Sequence, residues 1–170
     1  MERIPENSRI STYTTDAYFA DCFACDIDYE NQPALDIFLS IARGIPSWVE
    51  HLMSIRNNIV SKLGLKNLGA LSGIDNDKLV TDYKVGERVG IFILHSHTHN
   101  EVILEDRDKH LDVKVSFYVE PNGSKARVYA NTVVHVHNMF GKIYMFFVAP
   151  VHKLIVPSSL KALPQIERKN

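Results

Sequence analysis

The sequence predicts an α+β fold in the order strand, two helices, antiparallel strands and a long closing helix, with the curved sheet wrapped around that last helix. Three observations carry this expectation. Apolar residues recur at helical spacing in two early stretches, four strand-like runs follow between residues 88 and 137, and the longest hairpin has one polar and one apolar face. At 170 residues the chain fits one domain, 1–170 with an ordered core of about 12–164, and folding buries roughly two thirds of the surface exposed by the unfolded chain.

The first element is AYFADCFACDID, residues 17–28, rich in strand formers and closed by the polar turn ENQP. Pro33 suits the first turn of a helix through PALDIFLSIAR, and Gly44 stops it. Pro46 and Ser47 open a second helix in which Trp48, Leu52, Ile55, Ile59 and Leu63 form an apolar stripe, and Gly64 ends it. The polar loop LSGIDNDKLVTDYKVGE leads to the runs RVGIFILHS, EVILE, HLDVKVSFYVE and SKARVYANTVVHVH. The final apolar helix starts near Asn138, a natural N-cap, and Pro150 and Pro157 are expected to kink or divide it.

The hairpin at EPNGSK is registered by Asn122-Gly123, a strong turn signal. Glu120 then faces Lys125, Tyr118 faces Arg127, Lys114 faces Asn131 and His110 faces His135. The opposite face, Leu111, Val113, Val115, Phe117 and Val119 beside Val128, Ala130, Thr132, Val134 and Val136, is apolar and must be covered. This order is that of the helix-grip fold, in which the gap between sheet and helix is usually a cavity, so a cavity is expected here by analogy of fold.

Nineteen basic residues against twenty acidic ones leave no overall electrostatic footprint for nucleic acid or an anionic membrane. The start MERIPENSR lacks a signal peptide's basic and apolar regions, so a cytoplasmic location is expected. The closest approach to a membrane span, MFGKIYMFFVAPVHKLIV, is interrupted by Lys142, Pro150, His152 and Lys153 and reads as a buried helix. Cys22 and Cys25 stand in CFAC, but positions three apart on a strand point to opposite faces, so neither a redox pair nor half a zinc site is expected.

The segment HSHTH places His95, His97 and His99 at alternate positions, so an H-x-H pair there puts two rings on one strand face about 6.5 to 7 Å apart. A metal would need further ligands. With Arg107-Asp108 as a two-residue turn, Glu105 faces His110, and His135 faces it across the next hairpin, making Glu105, His110 and His135 the candidate metal set. Whether HSHTH joins them depends on the turn THNE: a two-residue turn sets His95 and His97 beside Leu104 and Val102, and one more residue flips them. The bland alternatives are a solvated polar face, with His152 and Asn138 packing or capping locally, or a His-rich homodimer surface that weakens as the rings charge.

GIPSWVEHLMSIRNNIVSKLGLK, EVILEDRDKHLDVKVSFYV and TVVHVHNMFGKIYMFFVAPVHKLIVPSSLK together resemble a bacterial family, domain of unknown function 2867, over about residues 16–163. The matching blocks are P-S-W with the R-N-N and G-L-K positions, E-D with K-H-L-D, and H-N-x-x-G-K-x-Y leading to P-V-H-K-L-I-V-P. The resemblance implies a START-like, SRPBCC-type domain with no transferable catalytic residues. His110, Asp112, Asn138 and His152 match the family, whereas the HSHTH position is generally non-histidine in it. Some relatives carry the domain behind a Rossmann-type unit, but this chain has no G-x-G-x-x-G loop after a strand, so no cofactor is assigned.

The leading expectation is a binding domain for a small apolar molecule held between the sheet and the last helix, lined by Phe92, Phe117, Phe140, Tyr144, Phe147 and His152, with Phe146 beside them. Serine-nucleophile motifs, Walker loops and H-E-x-x-H are missing, so an enzyme is the second choice. Its form would be a metal-dependent hydrolase using the histidine cluster. A third option is an accessory module to a nucleotide-binding oxidoreductase partner.

Overall fold

The long hairpin supplies the frame. In the computed structural model, which describes residues 1–62, 73–75 and 78–166 without the side chains of 59–62, 162 and 164–166, β5 (Leu111–Asn122) and β6 (Lys125–Val136) pair antiparallel along their whole length. Gly123 takes the first turn position at a φ of +65°, which costs glycine no Cβ clash. The turn therefore sits one residue later than expected and shifts every partner by two. Glu120 faces Arg127, Tyr118 faces Tyr129, Ser116 faces Asn131 and Asp112 faces His135. An even shift changes partners but not faces, so Val115, Phe117, Val119, Val128 and Ala130 still share the inner, core-facing side.

β1 (Phe19–Asp28) adds to the far edge of β6, while β4 (Glu101–Arg107), β3 (Phe92–His97) and the two-residue β2 (Arg88–Val89) extend the other side. The result is one open six-stranded sheet in the order β1-β6-β5-β4-β3-β2. Helix α1 (Ala34–Arg43) runs between Pro33 and Gly44, as the sequence punctuation predicts, and buries Leu35, Phe38 and Leu39 against β4 and β5. Helix α2 (Ser47–Lys62) turns Val49 inward and leaves Trp48 and Ile55 exposed, so the expected stripe is not its buried side. The Ile59 side chain, Leu63 and Gly64 lie outside the described residues.

Helix α3 (Met139–Ile166) is a single helix, undivided at Pro150 and Pro157. Its start is fixed by two features. The Asn138 side-chain oxygen accepts the Gly141 N–H at 3.1 Å, and Gly141 sits so close to the strands that a Cβ there would lie 2.5 Å from the His110 carbonyl oxygen and 2.8 Å from Val136 Cγ1.

The expected curved sheet wrapped around the terminal helix is not what forms. The sheet has two open edges, α1 occupies the middle of its inner face, and α3 is displaced onto β1 and β6 at one side. Six strands, one of them two residues long, cannot reach around a helix that shares the inner face with another. The expectation of a buried α3 fails for the same reason. By length and composition Met139–Lys161 is sufficient to cross a membrane, and only 17 % of its apolar window is buried.

The outer face is not simply solvated either. Residues before β1 form a strap across it, with a 3-10 turn at Arg9–Tyr13 that buries Ile10 against Ile103 and Val133. Burying an isoleucine in this way contributes about 1.5–3 kcal/mol. Ser8 Oγ and the Arg9 N–H donate to the two carboxylate oxygens of buried Glu101 at 2.6 and 2.7 Å, and the Glu2 N–H donates to the Cys22 carbonyl at 2.8 Å.

Candidate functional site

On the inner face, β1 and β6 bring a polar pair into an apolar layer. Asp21 and Thr132 are directly opposed across the two strands, and α3 lowers His152 onto both. His152 Nε2 lies 3.1 Å from Thr132 Oγ1 and 3.3 Å from Asp21 Oδ1, and the Phe19 ring meets the imidazole edge-on at 6.0 Å between centroids. The neighbourhood is apolar, with Phe19 packed on Leu111, Val134 and Met145 beside Tyr144. The Asp21 side chain is fully buried, yet its Oδ2 has no hydrogen-bond partner among the described residues. A buried acceptor left without a donor costs about 1–3 kcal/mol, more when charged. The sequence reading singled out His152 and missed Asp21. The signal was present, because Phe19, Asp21, Phe23, Cys25 and Ile27 share one parity of β1 and Asp21 is the charged member of that row.

On the outer face, HSHTH is resolved by a β-bulge. His97 pairs with Val102, as the two-residue turn at His99-Asn100 requires, but beyond the bulge Leu94 pairs with Leu104 and His95 is the extra residue. Both registers therefore occur in one hairpin. The bulge aims His95 at Glu105, with Nδ1 3.3 Å from Oε2, while its Nε2 meets the Tyr13 hydroxyl of the strap at 3.1 Å. Lys114 and Arg107 bond the same Glu105 oxygen, and the Lys114 ammonium stands 4.9 Å from the centroid of the Tyr13 ring. Burial pushes the Glu105 carboxyl up, but Lys114, Arg107 and His95 outweigh it and hold the group below the usual carboxylate range. A groove of about 260 Å³ beside this network is lined by Arg9, Thr12, Tyr13, His95, Ser96 and Ile103.

Glu105, His110 and His135 are not brought together. The β4–β5 hairpin closes at Arg107↔Asp112, which sets Glu105 opposite Lys114. His110 lies before β5, with Nδ1 3.1 Å from Asn138 Oδ1 and its ring against Phe140, while His135 bonds the Thr15 carbonyl of the strap at 3.0 Å. Among the described residues, no group of three or more His, Cys, Asp and Glu is placed to hold a metal ion. His99 is at the hairpin tip between Tyr29 and Asn31.

The aromatic candidates are dispersed as well. Phe92 and Phe117 pack on the inner core, Phe117 against Phe38 of α1 at 5.2 Å, whereas Tyr144 accepts from Arg56 of α2 at 3.0 Å near the Asp21–His152 end. Phe147 is exposed on α3 beside Phe146. Both cysteines are free thiols, Cys22 buried on the outer side and Cys25 turned inward with Sγ 3.8 Å from the Leu160 carbonyl. Burial, with Glu2 and Asp21 adding negative charge, pushes the Cys22 thiol up to about 11.

The family described as Protein of unknown function (DUF2867) matches residues 13–159, a span that runs from the strap through β1 to α3. The chain belongs to this family. Its element order is consistent with the START-like, SRPBCC group, and the matched span includes Asp21, Thr132 and His152 together with Tyr13, His95 and Glu105. No curated protein matches this DUF2867 member.

Proposed function

We propose that this DUF2867 chain acts as one domain that binds a small, mainly apolar molecule between the inner sheet face and α3, with the Asp21–His152 pair as its polar anchor. The observation that carries the reading is the buried Asp21 oxygen that, among the described residues, accepts no hydrogen bond inside a mainly apolar layer. A buried acceptor left without a donor is costly to keep, so its presence fits an acceptor kept for a ligand. The ligand class is then an apolar body bearing one hydrogen-bond donor, a hydroxyl or an amine. Phe19, Met145 and Tyr144 are the apolar side chains packed beside the anchor, and a carboxylate-headed ligand is repelled there.

The metal-dependent alternative loses support because Glu105 is engaged by Lys114, Arg107 and His95, and because His110 and His135 lie apart from it. Calorimetric titration with octanol, octylamine and octanoate tests the ligand reading. The wild-type chain is expected to bind the first two and refuse the third. Asp21→Asn, which puts a neutral amide in place of the carboxylate, should weaken octanol by about 5- to 10-fold, the difference between a hydrogen bond to a charged and to a neutral acceptor. Equal affinity for octanol and octanoate, or an unchanged affinity in Asp21→Asn, would sink the proposal.

A further inference from the structure

The overall charge balance conceals an asymmetry along the chain. No Asp or Glu occurs between Pro121 and Ile166, and α3 carries Lys142, Lys153 and Lys161 within that interval. The helix is apolar around most of its circumference, and the sheet and α1 cover only part of it. Met145, Leu160 and Leu163 are buried against the fold, while Met139, Ile143, Phe146, Phe147 and Leu154 are 68, 53, 73, 66 and 66 % exposed. At 100° per residue these five fall on one side of the helix, joined by Pro150 and Val151, and Lys142 and Lys153 border them along one flank. The row extends roughly 22 Å along the axis from Met139 to Leu154. Contiguous apolar surface of this kind, on the outside of a folded chain, marks a contact with another apolar phase or molecule.

We infer that the outer face of α3 lies in the interface of an anionic membrane, parallel to its plane. The stripe enters the acyl boundary, and the lysine stems run along it and carry their ammonium groups up to the lipid phosphates. Charge decides among occupants. A second copy meeting this face through its own α3 would set Lys142 and Lys153 near like charges with no acidic residue on the helix to answer them, whereas an anionic leaflet supplies the missing counter-charge. The inner contacts decide between lying and spanning. His152 is bonded to Asp21 and Thr132, and Gly141 is seated against His110 and Val136, so a spanning α3 would strip these contacts and uncover the sheet.

Co-sedimentation of the full chain with sucrose-loaded vesicles tests the inference. Binding is expected to vesicles of phosphatidylglycerol mixed with phosphatidylcholine at low ionic strength, with little binding to phosphatidylcholine alone. Lys142→Gln, Lys153→Gln and Lys161→Gln together should weaken it by about a hundredfold, roughly fivefold for each lysine. Phe146→Ser with Phe147→Ser, two exposed sites whose replacement is expected to leave the circular dichroism and unfolding midpoint unchanged, should abolish it at any charge. Equal sedimentation with both vesicle types, no binding to either, or sedimentation velocity showing a dimer that the two serine substitutions dissociate, would overturn it.

Discussion

Replacing Glu105 by glutamine removes the charge on which three cations converge. The carboxylate is 15 % exposed and Lys114 is 12 % exposed, so this pair is neither a surface ion pair, worth at most about 1 kcal/mol, nor a fully buried one, whose rupture costs about 3–5 kcal/mol. A loss of about 2 kcal/mol, between those limits, is expected for Glu105→Gln at pH 7, since the amide oxygen still accepts from one donor but Lys114 is left largely buried without its counter-charge. The pH dependence supplies an independent check. The folded-state pKa of Glu105 lies below its ordinary value of 4.5, so the unfolded chain binds more protons around that pH. The contribution of Glu105 is therefore complete above about pH 4.5 and is lost as pH falls through the depressed folded value. Urea unfolding of both chains from pH 7 down to pH 3 should show their stabilities converging in acid. A difference under 0.5 kcal/mol at pH 7, or a gap that stays constant down to pH 3, would refute the account of this network.

Gly141→Ala should lower stability by about 1–3 kcal/mol in thermal or urea unfolding, because the new methyl meets the His110 carbonyl and Val136 at distances that force α3 away from the strands. Glu101→Ala removes the acceptor of both Ser8 Oγ and the Arg9 N–H, and hydrogen exchange should show the amides of the strap opening while those of β5 and β6 remain protected. Cys22, buried and with its thiol pushed up to about 11, should resist iodoacetamide at pH 8 in the folded chain and react after unfolding.

Most elements of the fold were legible because each is announced locally. Pro33 and Gly44 bracket α1, Asn138 caps α3, and the alternation in β5 and β6 fixes which side faces the core even though the turn at Gly123-Ser124 displaces the pairing by two. What alternation cannot give is which residue faces which. Glu105, His110 and His135 converge only if Glu105 pairs with His110 instead of Lys114, four residues away, and His135 pairs with His110 instead of Asp112, two residues away. His95 shows the same limit from another side, since a bulge is a choice made by the packing of Leu94 and Ile103 on opposite faces and has no local signature in HSHTH. The strap was invisible for want of periodicity: MERIPENSRISTY reads as a polar tail, and Ile10 is its main claim on the core. The placement of α3 depended on α1 taking the middle of the sheet, a competition between elements distant in sequence.

The Asp21–His152 anchor is tested most directly by isotope-filtered nuclear Overhauser spectra of the labelled chain with unlabelled octanol. Contacts from the octanol chain to the Thr132 methyl, the Phe19 ring and the Met145 methyl are the predicted result. Contacts confined to Phe146 and Phe147 on the outer side of α3, or to Tyr13 and Ile103 in the groove beneath the strap, would contradict it.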